Sequence, residues 1–186
     1  MSQTYTSAST SMNARKLPKV YSKLPDLQRH SLLFDYGCGK YTDHIRSAFP
    51  DVVYLPYDPY NQPDDVNAVS LTYLANAMHV RYPVTVVCSN VLNVIDDDVE
   101  IGKIAARIVV AVVRTGGTGY VTVYEGDRSG IGRQTGKDQY QRNQRLEAYL
   151  DLFRFPDTFT WYGKTYHGTA AIECGMIVVR CEEVKA

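Results

Sequence analysis

The sequence predicts an α/β protein: one central sheet with helices on both faces, a three-layer sandwich. Two observations carry that prediction. Short apolar, β-branched runs at residues 32–34, 52–57, 84–88 and 120–123 alternate with segments of helical periodicity. The first run ends at Asp35 and two glycines, Gly37 and Gly39, directly before a segment able to form a helix. Strand, glycine turn and helix start form the corner at which open α/β sheets bind nucleotides. A chain of 186 residues holds one domain with a real core and is too short for two of ordinary size.

Residues 1–12 are mostly Ser and Thr, and by themselves cannot bury enough apolar surface to fold. Residues 16–18 and 21–27 carry more apolar side chains. The stretch 1–28 is therefore read as a flexible segment or a lid, and 29–186 as the domain. Residues 32–34 form a continuous apolar run, which reads as a parallel strand covered on both faces. Thr42 and Asp43 are placed to cap a helix over 43–49 that Pro50 closes.

Residues 52–57 give the second strand. Pro56, Pro59 and Pro63 then force a loop through Asp58. A weak third strand is expected near 66–69, and Ser70 is placed to cap a short helix over 71–78. The run 84–88 is the fourth strand, delivering Ser89 and Asn90 to the carboxyl edge of the sheet. Asp96, Asp97 and Asp98 open a helix to about Arg114, with Ile101, Ile104, Ala105, Ile108 and Val112 on one face. Gly116 and Gly117 stop it, and 120–123 is the fifth strand. A charged, glycine-rich loop over 125–137 follows. Asp138 then caps an amphipathic helix to about Phe153, and strands are expected at 159–162, 170–174 and 176–181.

Formal net charge is zero, so no global basic field marks a nucleic-acid partner, although a local patch can still serve. The chain has 15 tyrosines, a residue that stacks on bases but equally suits half-buried strands, so the count decides nothing. Cys38, Cys88, Cys174 and Cys181 contain no C-x-x-C pair, which argues against a zinc site and a disulfide framework; no metal is expected. No apolar stretch reaches membrane-spanning length and no signal-peptide pattern opens the chain. The reducing cytoplasm is the expected compartment.

Two cofactors compete for the glycine turn. A dinucleotide fingerprint wants a third glycine where this chain has Thr42. S-adenosylmethionine (SAM) wants acid-x-Gly-x-Gly, supplied in full by Asp35, Tyr36, Gly37, Cys38 and Gly39. Asp58, closing the second strand, suits the ribose of either. The missing glycine favours SAM.

Asp35-Tyr36-Gly37-Cys38-Gly39, Asp58-Pro59-Tyr60 and the run from Asn90 to Ile95 together resemble class I SAM-dependent methyltransferases. They are most similar to small methyltransferases of bacteria and their phages, some associated with DNA modification. The similarity spans about residues 32–143. It implies a Rossmann-like fold with a mostly parallel sheet and an antiparallel last strand. It further implies that Asp35 holds the methionine ammonium, that the turn from Tyr36 to Gly39 lets its chain approach, that Asp58 takes the ribose, and that Ser89 and Asn90 flank the amino acid moiety.

At the fourth-strand tip, Ser89-Asn90-Val91-Leu92 replaces the acid-or-Asn, Pro, Pro, aromatic sequence of exocyclic-amine methylation. No Pro-Cys pair for cytosine C5 chemistry occurs. The acceptor site is expected in the loop after the fifth strand. There Glu125 and Asp127 can act as a base or orient an amine, while Arg128 and Arg133 can hold phosphate or carboxylate. Asn93 is a further acceptor-binding candidate, and Lys137, Gln141, Arg142 and Asn143 can line the same pocket. His44 and His79 read as surface or packing residues on helices, and His167 as a late-loop residue able to act as a base. A nucleic-acid or phosphate-bearing acceptor and a small metabolite are both compatible with these residues. A SAM-binding sensor, a partner-dependent subunit and a nicotinamide-dependent reductase are the alternatives.

Overall fold

Four neighbouring parallel strands, β1 (Leu32–Tyr36), β2 (Val53–Tyr57), β3 (Val84–Ser89) and β4 (Thr118–Thr122), form one half of the sheet. The computed structural model describes residues 17–25, 27–136, 139–161 and 163–184. The other half is β7 (Thr158–Trp161), β8 (Lys164–Glu173) and β9 (Met176–Glu183), and the strand order is β2-β1-β3-β4-β9-β8-β7. The last strand, β9, lies between β4 and β8 and runs antiparallel to both. The result is an α/β protein with a seven-stranded mixed sheet.

Side chains alternate across the pleat, so neighbours on one strand serve opposite cores. Phe34, Leu55, Val86, Val121, Ile177 and Val179 face a layer made of α2 (Asp64–Val80), α3 (Asp98–Thr115) and a 3-10 helix (Leu146–Phe153). Leu33, Tyr54, Val87, Tyr120 and Val178 face the other way. They pack on Ile45 of the short helix α1 (Asp43–Ala48) and on Val20 and Tyr21 beside a 3-10 turn (Tyr21–Lys23).

α3 starts and stops where its sequence says. The Asp97 carboxylate accepts from the amides of Val99 (2.8 Å) and Glu100 (3.3 Å). Gly116, at φ 69°, takes the left-handed cap conformation that favours glycine. At α1, Thr42 occupies the N-cap position but its side chain makes no capping bond.

Several expectations are corrected. Residues 66–69 are not a strand, because Pro63 and the acids Asp64 and Asp65 start α2 there. Asn67, Ser70, Leu74 and Ala77 then form its buried face. Ser70 caps nothing: its hydroxyl donates to the Pro56 carbonyl at 2.6 Å. The loop over 125–137 contains β5 (Arg133–Gly136), which pairs with β6 (Gln139–Gln141), so no helix covers those residues. Asn143, at φ 55°, interrupts the chain again, and only residues from Leu146 onward are helical, in 3-10 form. His167 is not in a loop but exposed on β8, opposite Thr158 and Glu182. The tail over 1–12, Lys16, Lys137 and the Asp138 cap lie outside the described residues.

Candidate functional site

Register brings the sequence-predicted residues to one sheet edge. Asp35 lies beside Pro56 on β2 and Val87 on β3, so all three strands end together, at Gly37, Asp58 and Ser89. Gly37 and Gly39 both have φ 74°, and a Cβ on Gly37 would overlap a methyl of Val91. Only glycine meets both demands at position 37. Its amide donates to the Tyr57 carbonyl at 2.7 Å, while the Gly39 amide donates to Asp58 Oδ2 at 3.0 Å.

Asp58 is the hub of this edge. Besides Gly39, its carboxylate accepts from the amides of Tyr60 (2.9 Å) and Asn61 (3.1 Å) and from Asn61 Nδ2. Asn67 brackets the strand end: its Oδ1 accepts from the Asp58 amide at 2.9 Å, and its Nδ2 donates to the Asp58 and Gln62 carbonyls. Gln62 in turn donates to the Gly39 carbonyl at 2.6 Å. The glycine turn and the Asp58 loop are thus one hydrogen-bonded unit. Sequence reading missed Asn67 and Gln62. The signal lay in two side-chain amides four and nine residues after the acid, but the expected strand at 66–69 hid the second.

Asp35 points to the opposite face from Tyr36. It is 2% exposed and accepts from the Tyr54 hydroxyl at 2.6 Å, with the Tyr21 hydroxyl as a second donor. Burial pushes its pKa up to about 6, against the two hydroxyls, which hold it down; the Asp58 charge adds a smaller upward push. Burial and the Asp35 charge push the Cys38 thiol well up, so Cys38 stays a neutral thiol. The Tyr36 side chain leaves the turn altogether and accepts from Arg107 Nη1 at 3.0 Å on the far face of the sheet.

A second polar group lies beyond β3 and β4. Ser89 Oγ accepts from Thr122 Oγ1 at 3.1 Å, and Asn90, at φ 58°, donates its amide to the Thr122 carbonyl at 2.9 Å. Asn93, in a 3-10 turn (Leu92–Val94), is 2% exposed. Its Nδ2 donates to Gln141 Oε1 at 3.2 Å, while its Oδ1 has no partner among the described residues. Gln141 ties this turn to the next loop through the Tyr124 carbonyl, 2.8 Å away. A buried carbonyl oxygen without a donor is costly, and such an atom marks a place where a ligand donor or water gains a bond.

Glu125 and Asp127 already have partners. Glu125 Oε1 accepts from the Leu146 amide at 2.8 Å, at the start of the 3-10 helix, and its Oε2 lies 2.6 Å from Arg128 Nε. The amide bond first, then Arg128, holds Glu125 below the ordinary carboxylate range. Asp127 is also held low, chiefly by Ser129, and stands 3.9 Å from Arg133. Lowered carboxylates are weak proton acceptors. Arg142 is drawn off to the Ile95 carbonyl (3.0 Å) and Asp98 (2.5 Å).

Among the described residues no group of three or more His, Cys, Asp and Glu is placed to hold a metal ion, and no helix is long and apolar enough to cross a membrane. No protein-family model matches the chain, and a search of curated proteins finds no match to it.

Proposed function

We propose that the chain is a SAM-dependent methyltransferase of the Rossmann-like class I type. One observation carries the reading: the acid-x-Gly-x-Gly turn ends the first strand and is bonded through Gly39 to Asp58 at the end of the second. The antiparallel β9 inserted beside β4 supports the same reading. In this proposal the Asp58 carboxylate keeps its backbone amides and accepts the ribose hydroxyls in place of the Asn61 side-chain amide, which in the free protein bridges both its oxygens. Asp35 attracts the methionine ammonium beneath the turn from Tyr36 to Gly39, directly or through water. Ser89 and Asn90 border the amino acid moiety.

SAM carries its methyl on a sulfonium, a ready leaving group, so the protein's work is to align an acceptor. Asn93 Oδ1 is the group best placed to take a donor N–H of that acceptor. Glu125 and Asp127 act by orienting it rather than as bases, since both lie below the ordinary range. A phosphate-bearing acceptor reaches Arg128 and Arg133 only by displacing Glu125 and Asp127.

Calorimetric titration with SAM, S-adenosylhomocysteine and NAD tests the cofactor. SAM and its product should bind and NAD should not. Asp58→Asn should weaken SAM by about 1.5–3 kcal/mol, the range for a hydrogen bond to a charged group. No SAM binding to the folded wild type would overturn the reading. The existing partners of Glu125 and Asp127 favour one second reading, a SAM-binding sensor. Labelled SAM offered with DNA, RNA and a metabolite extract separates the two, since a sensor binds SAM and labels nothing.

A further inference from the structure

The face of the sheet away from Asp35 holds a cavity of about 470 Å³ between α2 and α3. Its floor is Phe34, Tyr36, Tyr57 and Val86, and its walls include Leu74 and Met78 of α2 and Ala111 of α3. Leu71 and Val110, 45% and 49% exposed, stand at its rim. Protein interiors hold few voids larger than a water molecule, and a volume in the range of roughly 300–1,000 Å³ is that of a ligand site. Small side chains at Ala106 and Ala111 leave the space where larger ones would close the helices on each other.

We propose that this groove is a binding site for a small amphipathic carboxylate, its apolar body on the aromatic floor and its carboxylate on Arg107 and the Tyr36 hydroxyl. The floor offers flat contact: the Phe34 and Tyr57 rings stack at 5.8 Å, and Tyr36 meets Tyr57 at 5.1 Å. The head group is set by charge. Arg107 has no carboxylate within 4.0 Å among the described residues, and its protein partner is a neutral phenol, Tyr36. The Tyr36 oxygen accepts from Arg107, which leaves its own proton to donate. A guanidinium fork and a hydroxyl at the edge of an otherwise apolar cavity match a carboxylate. An uncharged apolar ligand would use the floor and leave both donors idle. The cavity is on the far face from Asp35, so this inference stands apart from the methyltransferase reading.

The test uses the full chain, with anilinonaphthalene sulfonate as fluorescent probe and decanoate and decanol as competitors. One saturable probe site is expected, with decanoate displacing it about tenfold more tightly than decanol. Arg107→Met should bring decanoate to the affinity of decanol and leave decanol unchanged. Ala106→Phe, on an exposed position of α3, should abolish displacement by both while preserving the circular dichroism of the fold. Absence of saturable binding, or wild-type binding in Ala106→Phe, overturns the site. Equal affinity of decanoate and decanol overturns the carboxylate assignment. If Arg107→Met fails to fold, Arg107→Gln supplies the same comparison.

Discussion

Asp35 is a carboxyl group enclosed by Tyr21, Tyr54 and Cys38, with Asp58 across the turn. Its folded pKa, about 6, lies above the ordinary aspartate value of 3.8. Between those values the native protein keeps a proton that the unfolded chain has lost, so this group's contribution to stability falls as pH rises, and the penalty is complete above about 6. The melting temperature of wild type relative to Asp35→Asn should therefore drop as pH is raised from 4 to 7. Parallel curves for the two proteins would mean that Asp35 does not titrate there. The same ionisation bears on the cofactor. If the ammonium of SAM pairs with Asp35, SAM affinity in the wild type should weaken as pH falls through about 6, and Asp35→Asn should lose that dependence.

Among the elements, α3 is the helix whose ends are best defined by its own side chains. Asp97 satisfies two of the amides that a helix start leaves without partners. Asp97→Ala should cost about 0.5–2 kcal/mol of stability, readable by urea denaturation with an unchanged slope. Loss of less than a few tenths would show that solvent serves those amides equally well. α2 has no such cap, since Pro63 precedes it. Its placement rests instead on Asn67 and Ser70, which bond the β2 strand end from inside the buried face.

For the whole molecule, the parallel and antiparallel halves share one core. Ile177 and Val179 of β9 are buried with Val86 of β3, Val121 of β4 and Ile108 of α3. Ile177→Ala should lower stability by about 2–5 kcal/mol, because the cavity it leaves sits where the halves join. Far-UV and near-UV dichroism should still follow one coincident transition in wild type. Separate transitions would show that β7, β8 and β9 fold independently of the parallel strands.

Much of this arrangement was legible in the sequence because its signals are local. Periodicity marks α3, β-branched runs mark the parallel strands, and the acid with two glycines marks the turn. The reverse held for residues 66–69, where Val66 and Val69 look strand-like; the helix won because Asn67 and Ser70 find bonding partners at Asp58 and Pro56, which only the fold supplies. The same is true of the loop after β4, where β5 and β6 pair and Asn143 breaks the helix that amphipathic spacing had indicated. At the site, the residues Asp35, Gly37, Gly39 and Asp58 could be named from their order. That Tyr21 covers Asp35, that Tyr36 turns to Arg107, and that Glu125 is bound to Leu146 and Arg128 could not. Those contacts join residues distant along the chain or set which sheet face a side chain takes, and spacing alone carries no record of a partner folded in from elsewhere.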